Sequence, residues 1–146
     1  MAGELILIVE DNEKNMKLVR DVLQFNRYQT VEATTAEEGL RLAMAKPPDL
    51  ILMDIHLPGM DGMTALSHLK QDSVTQRIPV IALTASAMPD ERQQIMDAGF
   101  DGYQAKPITV KELIELIRKT LEAWVGSEGD RKEERVRDTA GQDTGC

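Results

Sequence analysis

Three short runs in this chain carry only apolar side chains: Leu5-Ile-Leu-Ile-Val9, Leu50-Ile-Leu-Met53 and Val80-Ile-Ala-Leu83. A strand with one wet face alternates apolar and polar residues, so unbroken runs of this length mark strands covered on both faces. Two more polar stretches, Tyr28 to Ala33 and Gly102 to Ala105, read as flanking strands. Between the strands lie apolar residues at helical spacing: Met16, Val19 and Leu23; Leu40, Ala43 and Met44; Leu66 and Leu69; and Val110, Leu113, Ile114, Ile117 and Leu121, the set with the clearest period. Pro47-Pro48, Pro58-Gly59 and Gly99 punctuate these elements as turns and helix stops. Five strand and helix units in alternation predict an α/β fold, a doubly wound five-stranded parallel sheet with helices on both faces, because crossovers between parallel strands are nearly always right-handed. The order 2-1-3-4-5 is expected. In it the direction of growth reverses between strands 1 and 3, and ligands bind at such a switch point, beyond the carboxyl ends of the strands.

The 146 residues suit one domain of ordinary size, and 42% apolar with 29% charged residues is enough to close a core. Composition shifts after Trp124: Val125 to Cys146 holds six acids, four bases, four glycines and only two aliphatics larger than Ala. Such a segment buries too little to order itself, so the domain is expected over 1–124 with a charged, disordered tail over 125–146. With 17 Lys plus Arg against 25 Asp plus Glu the net charge is −8. An acidic surface of this kind speaks against nucleic acid, whose phosphates want clustered bases. The longest apolar run, five residues, cannot span a bilayer, which takes about 20. A strand-like start without a signal-peptide pattern leads to an expected cytoplasmic location. Cys146 is the only cysteine, so neither an intrachain disulfide nor a thiolate cluster is expected.

Chemistry is expected at the strand ends. Strand 1 runs into Glu10-Asp11, strand 3 into Asp54, strand 4 ends in Thr84 and strand 5 in Lys106-Pro107. Three carboxylates at one crevice repel one another and call for a proton or a cation. Mg²⁺ is the natural partner of such a set, since it prefers oxygen ligands and binds through a few carboxylates plus phosphate oxygens. No sulfur or paired imidazole favours zinc. A carboxylate can attack phosphorus to give an aspartyl phosphate, and Asp54, at the end of the most buried strand, is the best nucleophile. Lys106 and Mg²⁺ would neutralise the phosphoryl oxygens, and the Thr84 hydroxyl would hydrogen-bond one of them.

The segments Val9-Glu10-Asp11-Asn12, Leu52-Met53-Asp54-Ile55-His56-Leu57-Pro58-Gly59-Met60-Asp61-Gly62, Leu83-Thr84-Ala85 and Ala105-Lys106-Pro107 resemble the bacterial two-component response-regulator receiver domain, in its single-domain form. The likeness spans residues 4 to 122, and the flavodoxin-like order 2-1-3-4-5 is also the order it implies. It further implies that Asp54 accepts phosphate from a histidine kinase or phosphotransfer protein, and that Glu10, Asp11 and Asp54 hold Mg²⁺ with help from the His56 backbone carbonyl. Lys106 would bind the phosphoryl group, Thr84 and Tyr103 would form a switch pair, and Lys106-Pro107 would be cis. Output would pass to another protein through the fourth helix, fifth strand and fifth helix. Such a domain is not an enzyme in the usual sense, although self-phosphorylation from small donors and autodephosphorylation are expected, with Ser86 and His56 flanking the approach of water.

Plainer roles compete for the same residues. Glu10-Asp11 suits an acidic first helical turn, Asp54 or Thr84 could cap a helix, Lys106 could be a solvated loop lysine, and Tyr103 an edge-strand aromatic. His56 and His68 sit in different elements, which speaks against a catalytic histidine, and the eight methionines read as core filler. A haloacid-dehalogenase-like phosphatase would need a second Asp two residues after the nucleophile, where this chain has His56. A phosphate-independent scaffold would not need the full set of site residues. A terminal regulator and a phosphorelay intermediate are both compatible with the sequence.

Overall fold

The computed structural model describes residues 3–85 and 88–123. In chain order these form β1 (Leu5–Val9), α1 (Glu13–Phe25), β2 (Gln29–Ala33), α2 (Ala36–Ala45), β3 (Leu50–Asp54), α3 (Gly62–Gln71), β4 (Val80–Thr84), α4 (Pro89–Ala98) and β5 (Gly102–Ala105). A fifth helix, α5, covers 110–123. The strands pair in parallel in the order β2-β1-β3-β4-β5, as expected. β2 begins at Gln29, with Tyr28 buried just before it, and β3 runs one residue further than its apolar run, through Asp54. The segment 125–146, expected to be a disordered tail, lies outside the described residues.

Strand alternation builds two cores from the same apolar runs. Leu7, Val9, Ile51, Met53, Val80 and Ala82 face α2, α3 and α4, meeting Ala36, Ala43, Leu66, Leu69 and Ile95. Ile6, Ile8, Leu50, Leu52, Ile81 and Leu83 face α1 and α5, meeting Met16, Val19, Leu23, Leu113, Ile117 and Leu121. Full burial of each Leu or Ile stabilises by about 1.5–3 kcal/mol before the entropy of ordering is charged against it. No apolar spacing marked α4 in the sequence, because Ile95 is its one buried residue. The methionines divide: Met16 and Met53 are core, but Met44, Met88 and Met96 are exposed, so core filling does not describe them all.

Two aspartates outside the regular elements tie neighbouring strands in register. Asp49 Oδ2 accepts from Leu5 N at 2.8 Å while Asp49 N donates to Leu5 O at 2.7 Å. Asp101 makes the same exchange with Val80, at 2.8 Å in both directions. Each side chain thus occupies the first N–H of β1 or β4, which would otherwise start the strand unpaired.

Helix starts are set by side chains as well. Asn12, Thr35 and Asp61 cap α1, α2 and α3, each accepting from the backbone N–H three residues on, a contact worth about 1 kcal/mol. Behind the Asp61 cap, Gly62 lies against the end of β3: a Cβ there would stand 2.5 Å from Asp54 O and 2.9 Å from Ile55 Cα. Only a residue without a side chain lets α3 begin this close to the strand carrying Asp54. Gly62→Ala must push backbone from backbone, and we expect a loss of about 1–3 kcal/mol in urea unfolding, with an unchanged m-value. A variant as stable as the parent would show that α3 does not press on the strand end.

Candidate functional site

Register brings the site residues together. Val9 pairs with Met53, so Glu10 and Asp54 leave adjacent strands side by side. Asp54 pairs with Leu83 and Thr84 with Ala105, which sets Thr84 and Lys106 along the same edge of the sheet. The ladder continues one residue past the strands: Glu10 N donates to Ala33 O (3.0 Å), Ile55 N to Leu83 O (2.9 Å) and Lys106 N to Thr84 O (2.7 Å). The Lys106-Pro107 peptide is cis, as the family resemblance implied.

Glu10 is fully buried, Asp54 nearly so and Asp11 exposed, and one carboxylate oxygen of each lies within 4.8 Å of the others. Lys106 Nζ lies 2.8 Å from Asp54 Oδ2 and 3.0 Å from Glu10 Oε1. Backbone amides hold the opposite oxygens: His56 N donates to Asp54 Oδ1 at 2.8 Å and Asn12 N to Glu10 Oε2 at 3.0 Å. These two amides orient the buried carboxylates, a role the sequence does not advertise because any residue supplies an N–H. Asp54 caps no helix, that place in α3 being taken by Asp61, and Thr84 caps none either, since α4 starts after Met88 without a side-chain cap.

Charge balance is unequal. Burial pushes the Glu10 carboxyl above its usual 4.5; the Asn12 amide and Lys106 pull it back, and the neighbouring Asp54 charge pushes it up again. For Lys106 burial works against the charged form, yet Asp54 and Glu10 outweigh it and lift the ammonium above the usual 10.5. Glu10 Oε1 lies in an ion pair with Lys106 Nζ, an ammonium it shares with Asp54, and no other described group donates to it. A buried carboxylate oxygen whose one described partner is a shared ammonium is suited to a further cation. The three carboxylates therefore fit a hard divalent ion such as Mg²⁺, with oxygen ligands and one exposed side open to water and phosphate.

Around this centre, Thr84 is buried and shares a sheet face with Ala82, whose register partner is the half-buried Tyr103. Tyr103 OH accepts from Arg92 Nη1 at 2.9 Å. His56 is exposed, its Nε2 lying 3.5 Å from Glu91 Oε2, whereas His68 lies exposed on α3, remote in sequence from any strand end. Glu91 and Arg92 carried no sequence signal, because α4 has too few core residues to show which face it turns to the sheet. Ala85 is exposed beside the site, and Ser86 lies outside the described residues.

The raised Glu10 pKa gives a pH prediction in chelator-treated protein. A carboxyl raised on folding contributes stability that is present below its unfolded pKa and lost as pH rises through the folded one. Glu10→Gln escapes that loss, so its stability relative to the parent should improve as pH rises above the usual 4.5 and level off once the folded carboxyl has ionised. A pH-independent difference between the two unfolding curves would mean that Glu10 carries its charge at no cost.

Residues 6–118 match the family model for the response regulator receiver domain. The chain is 45% identical over 116 residues to the polar-differentiation response regulator DivK of Brucella ovis, covering 80% of this chain and 94% of the relative. Among solved structures it is similar to the receiver domain of a Pseudomonas aeruginosa sensor histidine kinase, which holds a magnesium ion in its active-site cleft (TM-score 0.77, 33% identity, 83% of this chain, 99% of that one). It is also similar to a CheY-like receiver domain protein from Methanospirillum hungatei (TM-score 0.79, 28% identity, 86% and 99%).

Proposed function

The chain belongs to the response regulator receiver domain family, phosphate-accepting modules of two-component signalling, and from that membership we propose that Asp54 is the phosphoacceptor of a signalling switch. The observation that carries this is the Lys106 ammonium, 2.8 Å from Asp54 and 3.0 Å from Glu10. It holds positive charge where the oxygens of an incoming phosphoryl group must sit. Asp54 attacks phosphorus, the new P–O bond forming as the bond to the donor's leaving group breaks. The His56 amide fixes the carboxylate's orientation throughout, and Lys106 passes from the carboxylate to the phosphoryl oxygens as charge moves outward. Glu10, Asp11 and Asp54, with the His56 carbonyl, would hold Mg²⁺, which supplies a Lewis acid for the same oxygens.

Its donors on this reading are a sensor histidine kinase or a histidine phosphotransfer protein, with small phosphodonors serving more slowly. Thr84 hydrogen-bonds the bound phosphoryl group and Tyr103 follows it toward the sheet, changing the face that a downstream protein reads. No helix among the described residues is long and apolar enough to cross a membrane. A cytoplasmic place goes with this reading, as does a domain ending near 124 with no part in phosphorylation for the residues beyond.

With Mg²⁺ and a small acyl phosphate, the protein should gain one base-labile phosphoryl group by intact-mass measurement. Asp54→Asn should gain none, and a chain ending at 124 should be phosphorylated as well as the parent. The same modification on Asp54→Asn would move the acceptor elsewhere, and failure of the shortened chain alone would give the last residues a role in the domain.

A further inference from the structure

Among the helices α1 to α4, α4 is the most lightly anchored. It buries Ile95 alone and has no side-chain cap, whereas α1, α2 and α3 each bury three or four residues behind a capping side chain. Polar contacts tie its first turn down. Glu91 reaches His56 at the rim of the acidic site. Arg92 donates to Tyr103 OH at 2.9 Å, its guanidinium carbon 5.8 Å from the ring centre. Tyr103 borders a groove of about 290 Å³ shared with Pro89, Arg92, Gln93 and Met96, so open space lies between its ring and α4. Its register partner Ala82 stands two residues before Thr84 on the same face.

We propose that Arg92 is a positioning residue of the switch: its guanidinium holds the Tyr103 ring against α4, and the ring must leave Arg92 before it can move toward Thr84. The inference rests on reading Thr84 and Tyr103 as the switch pair. A hydrogen bond from a charged donor outweighs a neutral one, though solvent screens a half-exposed pair. If the ring must leave Arg92 to move, the strength of this contact is subtracted from the response that phosphorylation can produce. Nothing in Arg92 touches the acidic centre, so it acts by setting the resting population and not by binding phosphate.

The test uses the full chain with Mg²⁺ and beryllofluoride, a phosphoryl analogue, with affinity read by calorimetry and the ring by NMR of labelled tyrosine. The chain has two tyrosines, so the Tyr103 signal is assigned by its loss in Tyr103→Phe. Arg92→Ala should shift the Tyr103 signal of the analogue-free protein toward its analogue-bound position and tighten binding about fivefold. Tyr103→Phe, which keeps the ring and removes the acceptor, should tighten binding similarly, and the double variant should stay within about twofold of either single one. Multiplying effects, or an Arg92→Ala that moves neither signal nor affinity while Thr84→Ala still uncouples the ring, would overturn the latch and leave the switch standing. A Tyr103 signal indifferent to the analogue in the parent protein would remove the switch reading and the latch together.

Discussion

One ammonium, Lys106, stands against the carboxylates of Glu10 and Asp54 at the carboxyl edge of the sheet, with Asp11 completing the acidic group at its exposed side. Each neighbour would raise the cost of the next without it, because like charges in a partly dry crevice cannot all stay ionised. Lys106 itself is lifted above its usual value by those same partners. Yet its one charge is shared, and burial still pushes the Glu10 carboxyl above its usual value. The crevice is thus built with a deficit of positive charge. A divalent ion would offset that deficit, and the three carboxylate oxygens that lie within 4.8 Å of one another suit one.

The sheet exists to hold that deficit in place. Parallel pairing aligns the ends of β1, β3, β4 and β5, and the ladder runs on into Glu10, Ile55 and Lys106, so the backbone around the site is as fixed as a strand interior. Helices on both faces exclude water below the carboxylates, while Asp11 and Ala85 leave the mouth open. Against this rigid centre α4 is lightly held, tied at the His56 loop and at Tyr103. A stiff reaction centre beside a weakly anchored helix is the arrangement in which a local change of charge can move a surface.

The unbroken apolar runs made the central strands legible, since burial on both faces removes the polar half of the strand pattern. Part of the site was legible for the same reason: Glu10 and Asp54 are conspicuous as charges directly at the ends of such runs, whereas Lys106 follows the more polar flanking strand. What stayed hidden depends on backbone or on single contacts. The amides of Asn12 and His56 could belong to any residue, Gly62 matters through the space it leaves, and Asp49 and Asp101 look like ordinary turn residues until paired across strands. α4 shows in the alternation of elements but not as a pattern, because one buried isoleucine has no period.

The most direct test of a built-in charge deficit is the dependence of unfolding free energy on Mg²⁺ in the parent and in Asp11→Ala. Binding to the folded state alone raises stability with the logarithm of the ion concentration once the site saturates. The parent should show that rise and Asp11→Ala a flat response from a higher metal-free stability, because one repulsive charge is gone. Equal Mg²⁺ responses in the two proteins would contradict the built-in deficit, since the ion would then be binding somewhere other than the acidic crevice.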